Sequence, residues 1–411
     1  MYRKDGALQL PLTSVVEIYK AGKVRTVMML RESSDGEVRS NPPEVQTARK
    51  WKAEEETNKI ITALEHRDVV GAVQDDRKGL GYNPFKPFCQ MEPRERRDAV
   101  TDQVRKSERA RREVHLIRCS QQGQVTNWEV NVVERRIGWN EIWRWRTSFL
   151  SFLIRATYDV LPSPVNLRRW SVTADPEEEK CRCGAKGTMK HILSNCSMAL
   201  NRYTWRHNEV LKVFVDAAEK QVVAEAYGTQ LQELKRNRIT FVPQGTTPKK
   251  KAAPRPRARR TDGRQWRVDA DLKGYERSFP IPTAKRPDLV LWCEEEREIH
   301  IVELTVPHED NMAAAHERKE ARYEELLDEC REEGWKAMSF PIEVGCRGFV
   351  GHSVKRWLRI AGLGPRESSQ LIRKVQETVE RASHWVWLRR HDDDWLRGHD
   401  DSDEGRPCRD S

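Results

Sequence analysis

The chain has 411 residues, and its 74 Lys and Arg against 64 Asp and Glu give a formal net charge of +10 at pH 7. This length allows two or three domains, and the basic surplus favours a phosphate-rich partner such as nucleic acid. No apolar run approaches the roughly 18 residues of a membrane span, and no signal peptide opens the sequence. The nine cysteines, mostly scattered, argue for a reducing compartment rather than a disulfide framework.

The N-terminal part of the chain mixes short apolar runs with long helical patterns. Residues 1–40 are predicted to be irregular or strand-like, because Leu8–Leu12 and Val24–Leu30 are short apolar runs. After Pro42 and Pro43, the predicted elements are a helix, a loop rich in Gly and Pro, and a highly charged helix: Glu44–Val73, Gly79–Pro93 and Pro93–Arg118.

Tryptophan and arginine are interleaved in the segment Trp128–Leu167. The residues concerned are Trp128, Trp139, Trp143, Trp145, Arg135, Arg136, Arg144 and Arg146. Side chains of these two kinds can stack on nucleic-acid bases and bind phosphates. The alternative is that the tryptophans form the core of a helical region, and the sequence leaves both interpretations open.

Three cysteines and a histidine form the one cysteine cluster of the chain. Cys181 and Cys183 are separated by one residue, and His191 and Cys196 follow about a helical turn apart. Such a set suits one tetrahedral zinc ion, and four protein ligands leave no open position for catalysis. Lys186–Thr188 can turn the chain back, with Thr188 capping the helix that carries His191. We therefore predict a structural zinc knuckle, although its first cysteine pair is more closely spaced than usual.

A helix or two is predicted over Asn201–Leu234, and a basic segment follows. Because Lys249–Arg267 combines many cations with several prolines, we predict a flexible tether that binds DNA or RNA phosphates or serves as a nuclear localisation signal. Its cations are Lys249, Lys250, Lys251, Arg255, Arg257, Arg259, Arg260, Arg264 and Arg267. The acidic tail His391–Ser411 is predicted to be disordered.

Two apolar runs separated by four polar residues predict a β-hairpin. Leu289–Cys293 is the first run, and the second begins at Ile299. If Cys293 faces Glu298, Asp288 lies opposite Glu303 on the same face of the sheet. Two carboxylates that close repel each other unless a proton or a cation lies between them, and a hard divalent ion takes oxygen ligands of this kind. The hairpin therefore predicts a Mg²⁺ or Mn²⁺ site.

A helix is predicted after the hairpin, over Glu309–Gly334, with a strand over Lys336–Val344 and one or two helices to Leu388 behind it. The less polar stripe of the first helix includes His316, Lys319 and Tyr323. A lysine that faces the sheet is costly unless a carboxylate or a substrate anion meets it. Two acids and a lysine at one point could cleave a phosphodiester, with the lysine orienting water or stabilising charge.

In their order along the chain, these motifs resemble the C-terminal part of the polyprotein of site-specific non-LTR (LINE-type) retrotransposons that carry a restriction-like endonuclease. That family has a thumb and linker, a Cys-Cys-His-Cys knuckle and a nuclease of the PD-(D/E)xK superfamily. Besides the knuckle and Arg286–Asp288, the segments that carry the resemblance are Leu8–Ser14, Arg49–Lys52, Gly79–Gly81, Ile154–Pro162 and Trp205–Asn208. The polymerase palm is absent, because no Tyr-x-Asp-Asp motif occurs.

The resemblance implies a multi-domain α+β protein whose nuclease core is restriction-endonuclease-like. The expected parts are a helical thumb-like region, the knuckle with its following helix, the disordered basic linker, the nuclease domain and the acidic tail: residues 1–170, 171–240, 241–264, 265–390 and 391–411. In the superfamily's general pattern a lysine lies two residues after the second acid, where this chain has Thr305. The retroelement class places the lysine on the following helix, which fits Lys319, with Tyr323 one turn on.

The resemblance further implies that the chain nicks target DNA to prime reverse transcription on element RNA, without polymerase activity of its own. Asp288 and Glu303 would bind Mg²⁺ or Mn²⁺, Lys319 would position water or phosphate, and Arg286 and His316 would contact the DNA backbone. The protein would be made in the cytoplasm and act in the nucleus, away from membranes. The alternative is a nucleic-acid-binding remnant without catalysis.

Overall fold

The computed structural model describes residues 6–47, 49–70, 86–219, 266–275, 279–281, 283–361 and 363–392. Residues 9–120 form one compact unit, and residues 6–8 with the chain from 121 onward form a second. The predicted tether Lys249–Arg267 up to residue 265, and the acidic tail beyond Asp392, lie outside the described residues. None of the helices in the described ranges is both long and apolar enough to span a membrane.

The first unit is helical. Its helices are α1 (Val15–Arg31), α2 (Gly36–Ser40), α3 (Ala53–Val70) and α4 (Pro93–Arg118), with a short 3₁₀ turn at Phe88–Gln90. The prediction of irregular or strand-like structure over residues 1–40 is wrong for 22 of these residues, because α2 covers five of them and α1 covers 17. Its residues Ala21, Val24, Val27 and Met28 recur at helical spacing and pack against α3 and α4. The hydroxyl of Ser14 caps α1 by accepting from the Glu17 amide.

The two other predicted helices of this unit have different outcomes. The helix Pro93–Arg118 is confirmed at both ends, with Pro93 in the first turn. The helix predicted from Glu44 instead begins at Ala53. Trp51 lies before this helix and packs against Tyr19 of α1, with ring centroids 6.1 Å apart. The Trp51 side chain therefore packs against the core although the residue lies outside the helix.

The second unit begins with short elements and then forms a mixed sheet. Its two-residue strands are β1 (Leu8–Gln9), which begins in this unit, and β2 (Arg135–Arg136). Its first helices are α5 (Trp139–Arg144), α6 (Thr147–Thr157), α7 (Pro164–Arg169) and α8 (Leu200–Glu219). Short 3₁₀ or π turns lie at Gln122–Asn127, Glu129–Asn131, Pro176–Glu179, His191–Asn195, Ser197–Ala199 and Glu309–Asn311. The sheet strands are β3 (Trp266–Ala270), β4 (Leu289–Cys293), β5 (Glu298–Thr305) and β6 (Lys336–Glu343). The last helices are α9 (Met312–Glu332), α10 (His352–Ile360) and α11 (Pro365–Leu388).

The four long strands lie in chain order across one sheet. β3 and β4 are antiparallel, β4 and β5 are antiparallel, and β5 and β6 are parallel. Cys293 pairs with Glu298 and Leu289 with Val302, which confirms the predicted register of the hairpin. Trp266 and Arg267 belong to β3, so the tether prediction is wrong for these two residues. The alternating Trp266 and Val268 pack against the core, which ties this end of the segment to the sheet.

Helices cover both faces of the sheet. Leu289, Leu291, Val302 and Leu304 face α8, α10 and α11, and Val290, Trp292, Ile299 and Ile301 face α9. The predicted strand Lys336–Val344 and the predicted helices of this region are confirmed, with Gly334 (φ +83°) ending α9 as the sequence indicates. The overall class is thus mixed α+β, with a largely helical N-terminal part and a four-stranded sheet between helices.

Candidate metal centres and their surroundings

The four residues of the predicted knuckle come together in the structure. The ligand atoms of Cys181, Cys183, His191 and Cys196 all lie within 4.8 Å of one another. The Sγ atoms of Cys181 and Cys196 are 3.7 Å apart, and Nε2 of His191 is 3.1 Å from Sγ of Cys183. Three thiolates and one imidazole are the soft donor set of a structural zinc site. The prediction that these four residues could hold a metal ion is confirmed.

Local backbone geometry explains how so short a spacing closes the cluster. The chain turns back between bridge partners Lys180 and Lys186, and Gly184 within this turn has φ +84°. A side chain at Gly187 would approach the Pro164 ring to 2.7 Å, so the return strand needs glycine there. Thr188 caps the next turn as predicted, since its hydroxyl accepts from the His191 amide at 3.0 Å. Burial lowers the pKa of His191, which favours the neutral ring that a metal requires.

Helix α8 links the knuckle to the end of the sheet. The Tyr203 hydroxyl accepts from the Cys196 amide at 3.2 Å and donates to the Ile192 carbonyl at 2.7 Å. Arg206, one turn further along α8, is fully buried. One of its terminal nitrogens donates to the Leu193 carbonyl, and the other donates to the carbonyl of Val306, just beyond β5. The helix therefore contacts both the last ligand loop of the knuckle and the strand that carries Glu303.

Asp288 and Glu303 meet where β4 begins and β5 ends. The Asp288 amide donates to Oε2 of Glu303 at 3.1 Å, and the Leu304 amide donates to Oδ2 of Asp288 at 2.8 Å. Lys319 of α9 forms an ion pair with Oε1 of Glu303, whose side chain is only 2% exposed. The Tyr323 hydroxyl, one turn further along α9, donates to the Arg286 carbonyl. The structure thus brings together the two acids and the lysine that the sequence singled out; these three residues are called the carboxylate cluster below.

Burial and neighbouring charges act in opposite directions on the carboxylate cluster. Burial, and after it the negative charge of Asp288, raises the pKa of Glu303. The Lys319 ammonium acts in the opposite direction. A divalent ion would relieve the same repulsion that raises this pKa. In the described part of the chain only the knuckle brings three or more acid, cysteine or histidine ligand atoms within 4.8 Å of one another. Two carboxylates suit Mg²⁺, which typically retains several waters and binds one or two acids together with substrate phosphates.

Two polar side chains near the carboxylate cluster escaped the sequence analysis. Nε2 of His207, on α8, lies 3.3 Å from Oδ2 of Asp288 and 3.2 Å from the Leu304 carbonyl. Burial lowers the pKa of His207, but the hydrogen bond and charge of Asp288 outweigh it, and the net pKa is raised. Glu343 ends β6 and accepts from Ser353 and pairs with His316. No local pattern joins these residues to the hairpin, because α8 and β6 are distant from it in sequence.

The remaining predicted nucleic-acid contacts have mixed surroundings. Arg286 is exposed and lies two residues before Asp288 in the chain. The cations Lys249, Lys250, Lys251, Arg255, Arg257, Arg259 and Arg260 lie outside the described residues. The four tryptophans divide between the two interpretations. Trp128 is buried against Phe349 and Arg347, and Trp145 packs on Phe149. Trp139 and Trp143 are 48% and 79% exposed, and their rings stack with centroids 6.2 Å apart.

The comparisons with known proteins add no family to these observations. The sequence matches no known protein-family model, and no curated protein is significantly similar to it.

Proposed function

We propose that the chain is a Mg²⁺- or Mn²⁺-dependent DNA endonuclease from a non-LTR retroelement, with a restriction-like core that nicks target DNA. The observation that carries the proposal is the convergence of Asp288, Glu303 and Lys319 at one end of the β4–β5 hairpin. A nicked strand would supply the 3′ end for reverse transcription on element RNA, by a polymerase that lies elsewhere. The proposal places the protein in the nucleus after synthesis in the cytoplasm.

Each residue of the carboxylate cluster has a separate role in this proposal. Asp288 and Glu303 hold the metal ion, which supplies Lewis-acid polarisation of the phosphate when bound. Helix α9 places Lys319 against Glu303, so the ammonium can contact a phosphate that approaches this acid. His207 holds Asp288 from the side of α8, and Arg286 lies exposed beside it for contact with the DNA backbone.

Replacing Lys319 by Ala is expected to lower the nicking rate by about 10²–10³-fold, the usual cost of removing one group aimed at developing charge. Conversion of supercoiled plasmid to nicked circles with Mg²⁺ measures this rate. Arg331 is a matched control, because it is an exposed cation near the end of the same helix that pairs with Asp328. The Arg331→Ala variant should nick at the wild-type rate. Equal rates for both variants would remove Lys319 from the proposed mechanism.

A nucleic-acid-binding protein without catalysis is the second candidate function, and the exposed tryptophan pair favours it. Trp139 and Trp143 are four residues apart on α5, so they share one helix face. Arg136, Arg144 and Arg146 are exposed nearby. Large exposed aromatics next to arginines suit unpaired bases, whose rings stack while the phosphates meet the cations. This surface is compatible with the nuclease as well, since an endonuclease must also bind its substrate.

Alanine at Trp143 or Trp139 is expected to weaken binding of a single-stranded oligonucleotide by about 1–3 kcal/mol per residue, which is roughly 5–150-fold in Kd. Fluorescence anisotropy with a labelled single strand measures the change. Trp170 is 42% exposed at the end of α7 and serves as the control substitution. Losses of similar size in all three variants, or none in any, would argue against a stacking surface on α5.

A further inference from the structure

A histidine, His316, lies one helical turn from Lys319. His316 and Lys319 are three residues apart on α9, which puts their Cβ atoms about 5–6 Å apart on one helix face. Nδ1 of His316 is 2.9 Å from Oε1 of Glu343, the last residue of β6. Pro341 pairs with Glu303 across the β5–β6 ladder, so Glu343, two residues on, lies on the same sheet face as Glu303.

Glu343 is held in place from two sides. Its side chain is 6% exposed, Oε1 meets His316, and Oε2 accepts from the Ser353 hydroxyl of α10 at 2.5 Å. Burial raises the pKa of Glu343, and the hydrogen bonds with Ser353 and His316 partly oppose this. A carboxylate bound to Nδ1 requires that this nitrogen carry the proton, so Nε2 of the neutral ring becomes an acceptor. In the described ranges Nε2 of His316 has no hydrogen-bond partner, and its side chain is 38% exposed.

The other polar groups around the carboxylate cluster cannot accept a proton as readily. The Lys319 ammonium has three donors and no acceptor, and it is paired with Glu303. Nε2 of His207 faces the Leu304 carbonyl, which only accepts, so this nitrogen carries a proton. Asp288 and Glu303 are committed to the metal in the proposed function. Among these side chains of the described ranges, His316 keeps a ring nitrogen without a hydrogen-bond partner, one helical turn from Lys319.

We propose that His316 is the general base of the nicking reaction and that Glu343 and Ser353 are positioning residues that set its tautomer. This inference rests on the proposed function. As the oxygen of water forms its bond to phosphorus, one water proton passes to Nε2 of His316 and the P–O3′ bond breaks. The leaving 3′ oxygen takes a proton from solvent and becomes the 3′ hydroxyl. The imidazolium then returns its proton to solvent.

The charged groups that face His316 define the pH dependence. Glu343 of β6 contacts the ring directly, Lys319 lies one turn along α9 with Glu303 of β5 as its partner, and α10 contributes the neutral Ser353. A base must be neutral to act, so the wild-type nicking rate should rise with pH and then level off. Glu343→Gln removes the charge beside the ring but keeps an acceptor for Nδ1–H, so the Nδ1–H tautomer should persist in this variant.

The test compares nicking rates of the full chain under single-turnover conditions with saturating Mg²⁺ across pH 5.5–8.5. His316→Ala should lose about 10²–10⁴-fold in rate and recover part of it on addition of free imidazole. His316→Asn retains a donor for Glu343 but has no second ring nitrogen, so it should be as slow as the alanine variant with an intact fold. His115→Asn alters an exposed histidine on α4 and should leave the rate and profile unchanged.

A measurement without DNA or metal supports or overturns the assignment independently of activity. Histidine ¹⁵N shifts, assigned with His316→Asn, should show the Nδ1–H tautomer at His316, and Glu343→Ala, which removes the acceptor, should abolish this preference. If wild-type protein nicks in an Asp288-dependent way but His316→Asn retains the full rate and profile, the general-base inference fails alone. If wild-type protein does not nick at all, the proposed function fails first and the inference with it.

Discussion

Isosteric removal of either acid, Asp288→Asn or Glu303→Gln, is expected to abolish Mg²⁺-dependent nicking while leaving DNA binding nearly unchanged. Each change keeps the side-chain volume and an acceptor for the amide that now donates to it, but removes the charge that would hold the metal. The loss should reach at least about 10²–10³-fold, because a metal contributes several kcal/mol to the stabilisation of transition-state charge. Plasmid nicking gives the rate, and anisotropy with duplex DNA gives the Kd.

The Kd for duplex DNA distinguishes a loss of catalysis from a loss of substrate affinity. Removing a negative charge next to DNA does not weaken phosphate contacts, so the Kd of the two variants should equal or fall slightly below the wild-type value. Glu324→Gln is the matched control, since it makes the same chemical change at an exposed position of α9. Undiminished nicking by Asp288→Asn and Glu303→Gln would contradict the metal site. A folded wild-type chain that binds DNA but never nicks it would favour the non-catalytic candidate.

Loss of the knuckle metal is expected to destabilise the fold and also to impair the distant carboxylate cluster. Cys196→Ser should reduce bound zinc from about one ion per chain to little or none, because only three ligands remain. Structural zinc contributes a large part of folding free energy in small zinc modules, so a loss of at least about 3 kcal/mol is expected. In a domain of about 150–250 residues, a loss of about 3 kcal/mol lowers Tm by roughly 6–12 °C.

The expected effect on nicking follows from the contacts of α8. Tyr203 and Arg206 bind backbone groups of the knuckle, and the adjacent His207 contacts Asp288. When the ligand loop loosens, α8 loses the contacts that set the position of His207, so the nicking rate should fall even at temperatures where the protein stays folded. Metal analysis, thermal melting and plasmid nicking on one preparation test the three effects together.

The control for the zinc prediction is a cysteine outside the knuckle. Cys89 is exposed in the first unit, and Cys89→Ser should leave zinc content, Tm and nicking at wild-type values. Equal zinc in the Cys196→Ser and wild-type proteins would contradict the ligand assignment. If Cys196→Ser loses zinc but nicks at the wild-type rate, the ligand assignment is supported. The same result would contradict the proposed link between the knuckle and the carboxylate cluster through α8.

Short-range patterns in the sequence determined the hairpin, the helix behind it and the knuckle. The four-residue loop between Cys293 and Glu298 sets the β4–β5 register, because strand side chains alternate with a period of two. The stripe of α9 places Lys319 toward Glu303 by helical periodicity alone. In the knuckle, all four ligands lie within 16 residues, and a glycine turn suffices to bring them together.

Long-range packing, rather than local pattern, brings distant residues to these motifs and selects the apolar side chains that are buried. His207 lies 81 residues before Asp288 in the chain, and Glu343 lies 27 residues after His316, so neither contact follows from a local period. Trp128 and Trp143 belong to the same segment rich in Trp and Arg, yet the first packs in the core and the second is exposed. Such outcomes depend on how helices pack on the sheet, and this packing is set by the summed burial of many residues that are far apart in sequence.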